Sequence, residues 1–186
     1  MTLKEMKNKV LRLIEEASTT ETKLTDDPDI ELKLNDVINQ IMFEMARFKK
    51  IPTKTTETIT TLELELTDLT NFYQLNTIRF KDNEGNEAGY DIFDNLVVFP
   101  TEGTADVYYY KYPKRITDDT KDDEYKFELS DDALECMPYG IAADLLKSDV
   151  SNQYGQVYAN RYEQMKQTLD PRYSMGSVSF EGGIEI

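Results

Sequence analysis

Residues 128–150 read ELSDDALECMPYGIAADLLKSDV, and residues 152–172 read NQYGQVYANRYEQMKQTLDPR. In the first stretch Ser130 suits a helix N-cap, and Asp131 and Asp132 favour the positive end of a helix dipole. Leu134, Met137, Ile141, Ala142, Leu145 and Leu146 then recur at spacings that put them on one face. Pro138 and Gly140 fall inside this helix, and the missing proline N–H predicts a kink there. The second stretch predicts a helix over 153–169 with Tyr154, Val157, Tyr158, Tyr162, Met165 and Leu169 as its apolar stripe, stopped by Pro171. Together they read as a helical hairpin that closes the core.

The C-terminal segment YSMGSVSFEGGIEI, at 173–186, is too short to fold alone. Val178, Phe180, Ile184 and Ile186 share one parity, and Ser179, Glu181, Gly183 and Glu185 the other. An extended segment with one apolar face can add to a sheet edge or lie in a groove of another subunit. It can also fold back on its own domain or stay unstructured. Docking on a neighbour is the reading adopted, because free tails are usually polar.

Upstream, Leu3, Met6, Val10, Leu13, Ile14 and Ala17 predict an amphipathic helix over 3–18, followed by a polar loop. A second helix starts at Pro28, capped by Asp27, with Leu34, Val37, Ile38, Ile41, Met45 and Phe48 as its stripe. Arg47, Lys49 and Lys50 sit at its end, and Pro52 stops it.

The period then changes from helical to alternating. TITTLELEL at 58–66 predicts one strand, with Leu62, Leu64 and Leu66 on one face and Glu63 and Glu65 on the other. A short strand at 77–81 and a turn around Gly85 and Asn86 come next. Residues 90–99 contain a tight turn at Asp94 and Asn95 and then a buried run from Leu96 to Phe99. ADVYYYKY at 105–112 is the strongest strand, with Tyr108, Tyr110 and Tyr112 on one face. After an acid-rich loop, YKFEL at 125–129 reads as a last short strand.

The fold class is α+β. A helical pair at 1–50 and a second pair at 130–171 are expected to form a four-helix bundle. A small antiparallel β subdomain at 51–129 is inserted between them, and an extended tail at 172–186 docks on a neighbour.

Composition limits the function. The chain has 186 residues, a net charge of −15, 39% hydrophobic and 31% charged residues. A field of that sign repels DNA and anionic membranes, although it suits a protein that DNA merely passes. Histidine is absent, which removes Ser-His-Asp and Cys-His catalysis and nearly all ordinary zinc sites. Cys136 is the single cysteine, so no internal disulfide forms, and its apolar helical setting suits a buried thiol. The N-terminal stretch lacks a signal-peptide pattern, and no run reaches membrane-spanning length.

The motifs that could carry chemistry are weak. Asp118, Asp119, Asp122, Asp123 and Glu124 cluster oxygens that a hard cation could use, but without the spacing or glycine of a calcium loop. A solvated turn is the stronger reading. Glu63 with Glu65, or Asp91 with Asp94, are paired acids of a kind common on a wet strand face. The tyrosine ladder can stack sugars or bases, but tyrosine favours strands in any case. Neither a phosphate-binding loop nor a cofactor motif occurs, so no cofactor, metal or catalytic residue is assigned.

The order of helices, β insertion, YYKYP at 109–113, acidic spacer, LSDDALECMPYGIAADLL at 129–146 and tyrosine-rich helix resembles the head-to-tail connector (adaptor or neck) proteins of tailed bacteriophages. The residues carrying the resemblance are Tyr109, Tyr110, Pro113, Leu129, Ala133, Leu134, Pro138, Tyr139, Ala142, Ala143, Leu145, Leu146, Tyr158, Tyr162 and Leu169. The order of elements matches over the whole chain, whereas the residues match in its last third. The resemblance implies a structural virion protein and not an enzyme. It implies a homo-oligomeric, dodecameric ring below the portal, contacting the portal protein and a downstream neck or tail protein. On the same resemblance, genomic DNA is expected to pass through the ring without specific binding, and no membrane partner is expected. The C-terminal segment, with Val178, Phe180, Ile184 and Ile186, docks on the portal or an adjacent subunit. It further implies assembly in the host cytoplasm and a place in the virion neck.

Three other readings compete. One is a carbohydrate- or ion-binding module using the tyrosine-rich strands and the acidic loop. Another is a metal-dependent hydrolase built on carboxylates. The third keeps the virion but moves the chain to a stopper or tail-completion station.

Overall fold

Helix α3 (Asp131–Leu146) is buried on most of its circumference: Ala133, Leu134, Cys136, Met137, Gly140, Ile141 and Ala142 are all inaccessible to water. A helix apolar all round belongs in the middle of a fold, and α3 has that place in the computed structural model, which describes residues 1–18, 24–147 and 153–169. It packs against α1 (Leu3–Leu13), α2 (Pro28–Phe48) and α4 (Gln153–Thr168).

The local sequence signals for α1 and α2 act as expected. Glu5 N donates to Thr2 Oγ1 at 3.2 Å and Thr2 N donates to Glu5 Oε2 at 2.8 Å, a reciprocal capping box at the start of α1. At α2, Asp27 Oδ1 accepts from Asp29 N at 2.8 Å and Ile30 N at 3.2 Å. Helix α1 stops at Leu13, short of the expected 18, because the chain turns at Glu15 with φ +60°. Helix α3 runs through Pro138 without a break.

The helices do not form the expected four-helix bundle. They are grouped about α3 and are not all packed on one another. Two features explain this. Helix α1 has only 11 residues, which is about three turns. Helix α4 is one-sided: it buries Gly155 and Tyr162, while Tyr154 and Val157, expected in its stripe, are 64% and 56% exposed.

The strands are β1 (Ile51–Ile59), β2 (Glu63–Glu65), β3 (Phe72–Asp82), β4 (Glu87–Ala88), β5 (Asp91–Phe93), β6 (Leu96–Val98) and β7 (Gly103–Lys111). They form a sheet of order β1-β7-β3-β4 and another of order β2-β6-β5, and every pairing is antiparallel. Ile59, Leu66, Ile78, Phe80, Val97, Phe99, Ala105, Val107 and Tyr109 form one buried cluster drawn from both sheets. The architecture is thus α+β with antiparallel sheets.

Several strand boundaries differ from expectation. Residues 58–66 are not one strand: β1 ends at Ile59, Leu62 takes φ +63°, and β2 begins at Glu63. The expected strand at 125–129 contributes only an isolated bridge between Lys126 and Thr2. Instead Ile116, Tyr125 and Leu129 enter the helical core, so the segment after β7 is a strap across the helices. Asn39 of α2 holds that strap: its Nδ2 donates to Ile116 O at 2.8 Å, and Ile116 N donates to its Oδ1 at 2.9 Å.

Candidate functional site

The apolar tail residues Val178, Phe180, Ile184 and Ile186 lie outside the described residues. Helix α4, which precedes them, is anchored at several points. Tyr162 lies against Gly140, where a Cβ would meet the ring at 3.0 Å, so glycine permits the close approach of α3 and α4. The Tyr162 hydroxyl lies 3.1 Å from Glu44 Oε1, and Lys166 Nζ donates to the same oxygen at 2.8 Å. Burial, with Glu44 beside it, raises the Tyr162 hydroxyl well above the usual phenol range. Tyr158 donates to Leu13 O at 2.6 Å, which ties α4 to the end of α1. The outward side of α4 keeps Tyr154, stacked 6.3 Å from Tyr158, and Val157.

The tyrosine ladder of β7 is divided by strand alternation. Tyr109 points into the sheet cluster and donates to Thr70 O at 3.2 Å. Tyr108 and Tyr110 point to the other face, where the chain's own cations cover them. Lys54 Nζ lies 5.5 Å and Arg79 Cζ 5.6 Å from the Tyr108 ring centre, and Lys50 Nζ lies 5.0 Å from that of Tyr110. Tyr112 lies between Phe43 at 5.4 Å and Tyr73 at 4.7 Å. Rings already engaged in this way offer a sugar little free stacking surface.

Around Tyr108 the same face carries Lys54, Thr56, Asp106, Arg79 and Lys81, set by the register of β1, β7 and β3. Asp106 accepts from Thr56 Oγ1 at 2.6 Å and pairs with Lys54 at 2.9 Å. The Thr56 hydroxyl and then Lys54 hold the Asp106 carboxyl below its ordinary range.

The acidic loop is tied to α1. Lys7 Nζ donates to both Asp122 carboxylate oxygens at 2.9 Å, and Lys4 pairs with Asp123 at 3.2 Å. Lys121 pairs with Glu124 at 2.8 Å. Among the described residues no group of three or more carboxylate or thiol side chains is arranged to hold a metal ion. The paired acids Glu63 with Glu65 and Asp91 with Asp94 are all exposed on β2, β5 and the turn after it. Nor is any described helix long and apolar enough to cross a membrane.

Sequence reading missed one surface. Phe93, Leu96 and Val98 sit together on the outer side of the β2-β6-β5 sheet, with Phe93 64% exposed. The run from Leu96 to Phe99 was expected to be buried throughout, yet only Val97 and Phe99 are. Their odd parity was the available signal.

No curated protein sequence matches the chain. A family model described as SU10 adaptor protein matches residues 1–179. That is a family of phage head–tail adaptors, in keeping with the resemblance drawn from the last third of the chain. A match spanning both helical segments and all seven described strands makes the assignment: the chain belongs to the SU10 adaptor protein family and is a structural phage protein.

Proposed function

We propose that this adaptor is the subunit of a head-to-tail connector ring that joins the portal to the tail and surrounds the DNA exit channel. The observation that carries the reading is the family match over residues 1–179. The net charge of −15 supports it, because an acidic channel wall weakens adhesion of the passing phosphate backbone. The ring is dodecameric and sits in the virion neck after assembly in the host cytoplasm, with the portal protein on one side and a downstream neck or tail protein on the other. Function is carried by surfaces, with neither a cofactor nor a catalytic group.

In this reading the helical segments at 1–50 and 130–171 act as one body, with the β region at 51–129 as an insertion. The tail at 172–186 docks through Val178, Phe180, Ile184 and Ile186 on the portal or an adjacent subunit. Their shared parity is what supports a docking role.

Electron microscopy of the purified chain mixed with the portal protein tests the reading. A ring on the portal is expected, and a chain that never associates with the portal overturns it. Removing residues 177–186 is expected to leave the melting temperature unchanged and to impair assembly. Unfolding of the truncated chain instead assigns the tail to the core.

A further inference from the structure

The two sheets contribute to one buried cluster, and each turns its other face away from that cluster. Those faces differ in chemistry. On the outer side of β1-β7-β3 the rows are Lys54–Tyr108–Thr77, Thr56–Asp106–Arg79 and Thr58–Thr104–Lys81. The Lys50 ammonium joins this face over Tyr110. Its carboxylates are Asp106, already paired with Lys54, and Glu87 on the edge beside Lys81.

On the outer side of β2-β6-β5 the rows are Glu63–Val98–Asp91 and Glu65–Leu96–Phe93. This is an apolar stripe rimmed by acids. No lysine or arginine occurs in residues 55–78 or 82–110, so the strands of this sheet supply their own acids with no counter-charge.

We infer that the acidic, apolar face docks front to back on the cationic, tyrosine-bearing face of a second copy, and that this contact links neighbours in the ring. The inference rests on the ring reading and names its surfaces. A ring is built from a heterologous contact, in which two different patches of each subunit meet and the rotation closes. A two-fold contact would instead set like charge against like. A chain of net charge −15 repels its own copies at long range, and a local patch of opposite sign offsets that repulsion at the contact. The face bearing Lys50, Lys54, Arg79 and Lys81 supplies one. Phe93 is the apolar anchor, and Pro52, exposed on the cationic face, is the uncharged position that meets it.

The test is zero-length carbodiimide coupling of assembled particles that contain a mixture of isotope-labelled and unlabelled chain. The expected products join Lys54 or Lys81 to Glu63, Glu65 or Asp91. A product that pairs a labelled with an unlabelled chain marks a link between two copies. Links between copies that avoid these faces overturn the inference and leave the ring standing. Absence of any link between copies likewise overturns the inference, whereas particles that carry the chain as single copies overturn the ring reading itself.

Charge reversal gives a second readout on exposed side chains. Glu63→Lys with Glu65→Lys, and separately Arg79→Glu with Lys81→Glu, are each expected to weaken self-association about 100-fold or more, because like charges then face each other. An equimolar mixture of the two variants restores it, since each altered face then meets its complement. Variants that fold normally by circular dichroism and assemble like wild type, alone or mixed, overturn the inference.

Discussion

Gly103 leaves no room for a side chain against Lys81: a Cβ at Gly103 would lie 2.1 Å from the Lys81 carbonyl oxygen. The clash is with backbone, at the start of β7 where it pairs with β3. Gly103→Ala therefore forces the β3–β7 ladder apart. A loss of about 2–3 kcal/mol is expected, at the upper end of overpacking costs. Chemical denaturation of the variant measures it, and an unchanged midpoint refutes the close approach.

Asn39 satisfies both backbone groups of Ile116 inside the helical core. Asn39→Leu keeps similar bulk and leaves a buried N–H and a buried C=O without partners. Each orphaned group costs about 1–3 kcal/mol, so a loss of roughly 2–5 kcal/mol is expected. Hydrogen exchange offers a local check: the Ile116 amide loses protection by more than its neighbours do.

Lys7 is nearly buried and holds both oxygens of Asp122. Lys7→Met keeps the aliphatic stem and removes the charge, at a cost of about 2 kcal/mol, the scale of hydrogen bonds to charged groups. With both Asp122 oxygens engaged, calcium is expected to leave the melting temperature of the wild-type chain unchanged. A rise on adding calcium would revive the ion-binding reading, by preferential binding to the folded state.

Tyr125 donates to Lys114 O at 2.5 Å, and burial, helped by Glu128, pushes its hydroxyl from the usual 10 up to about 12. The folded chain thus keeps this proton after the unfolded chain has lost it. The stabilisation is complete below pH 10 and is lost as pH rises through about 12. Tyr125→Phe gives up about 1 kcal/mol at neutral pH with the hydrogen bond. Its stability is expected to fall less steeply above pH 10, with Tyr162 supplying part of the remaining slope. Denaturation midpoints across alkaline pH separate the two curves.

Legibility in the sequence tracked how local each determinant is. Asp27 with Pro28 at the start of α2, and Asp94 with Asn95 between β5 and β6, act within a few residues, and both were readable. Strand β1 was not. Its sequence IPTKTTETI has apolar residues mainly at its ends, and Pro52 looked like a stop. Strand β1 is a sheet edge, where a proline is tolerated because no second neighbour needs its missing N–H. The alternation of Leu62, Leu64 and Leu66 misled in the opposite way: Leu62 is 40% exposed and sits in a turn. The bundle failed as an expectation because face periodicity says which side of a helix is buried, not which helix covers it. For the candidate site, the parity of Val178, Phe180, Ile184 and Ile186 was visible. The opposed charges of the two sheet faces were not, since they depend on cross-strand register.

The central place of α3 has a consequence for how the chain is born. Helices α1 and α2 meet mainly through α3, which lies more than 80 residues after α2 ends. During synthesis their apolar faces leave the ribosome long before the helix that covers them. The intervening strands bury a separate cluster and can collapse first. The helical core therefore forms late, by closing a long loop, and its folding rate is set by that search more than by the speed of helix formation.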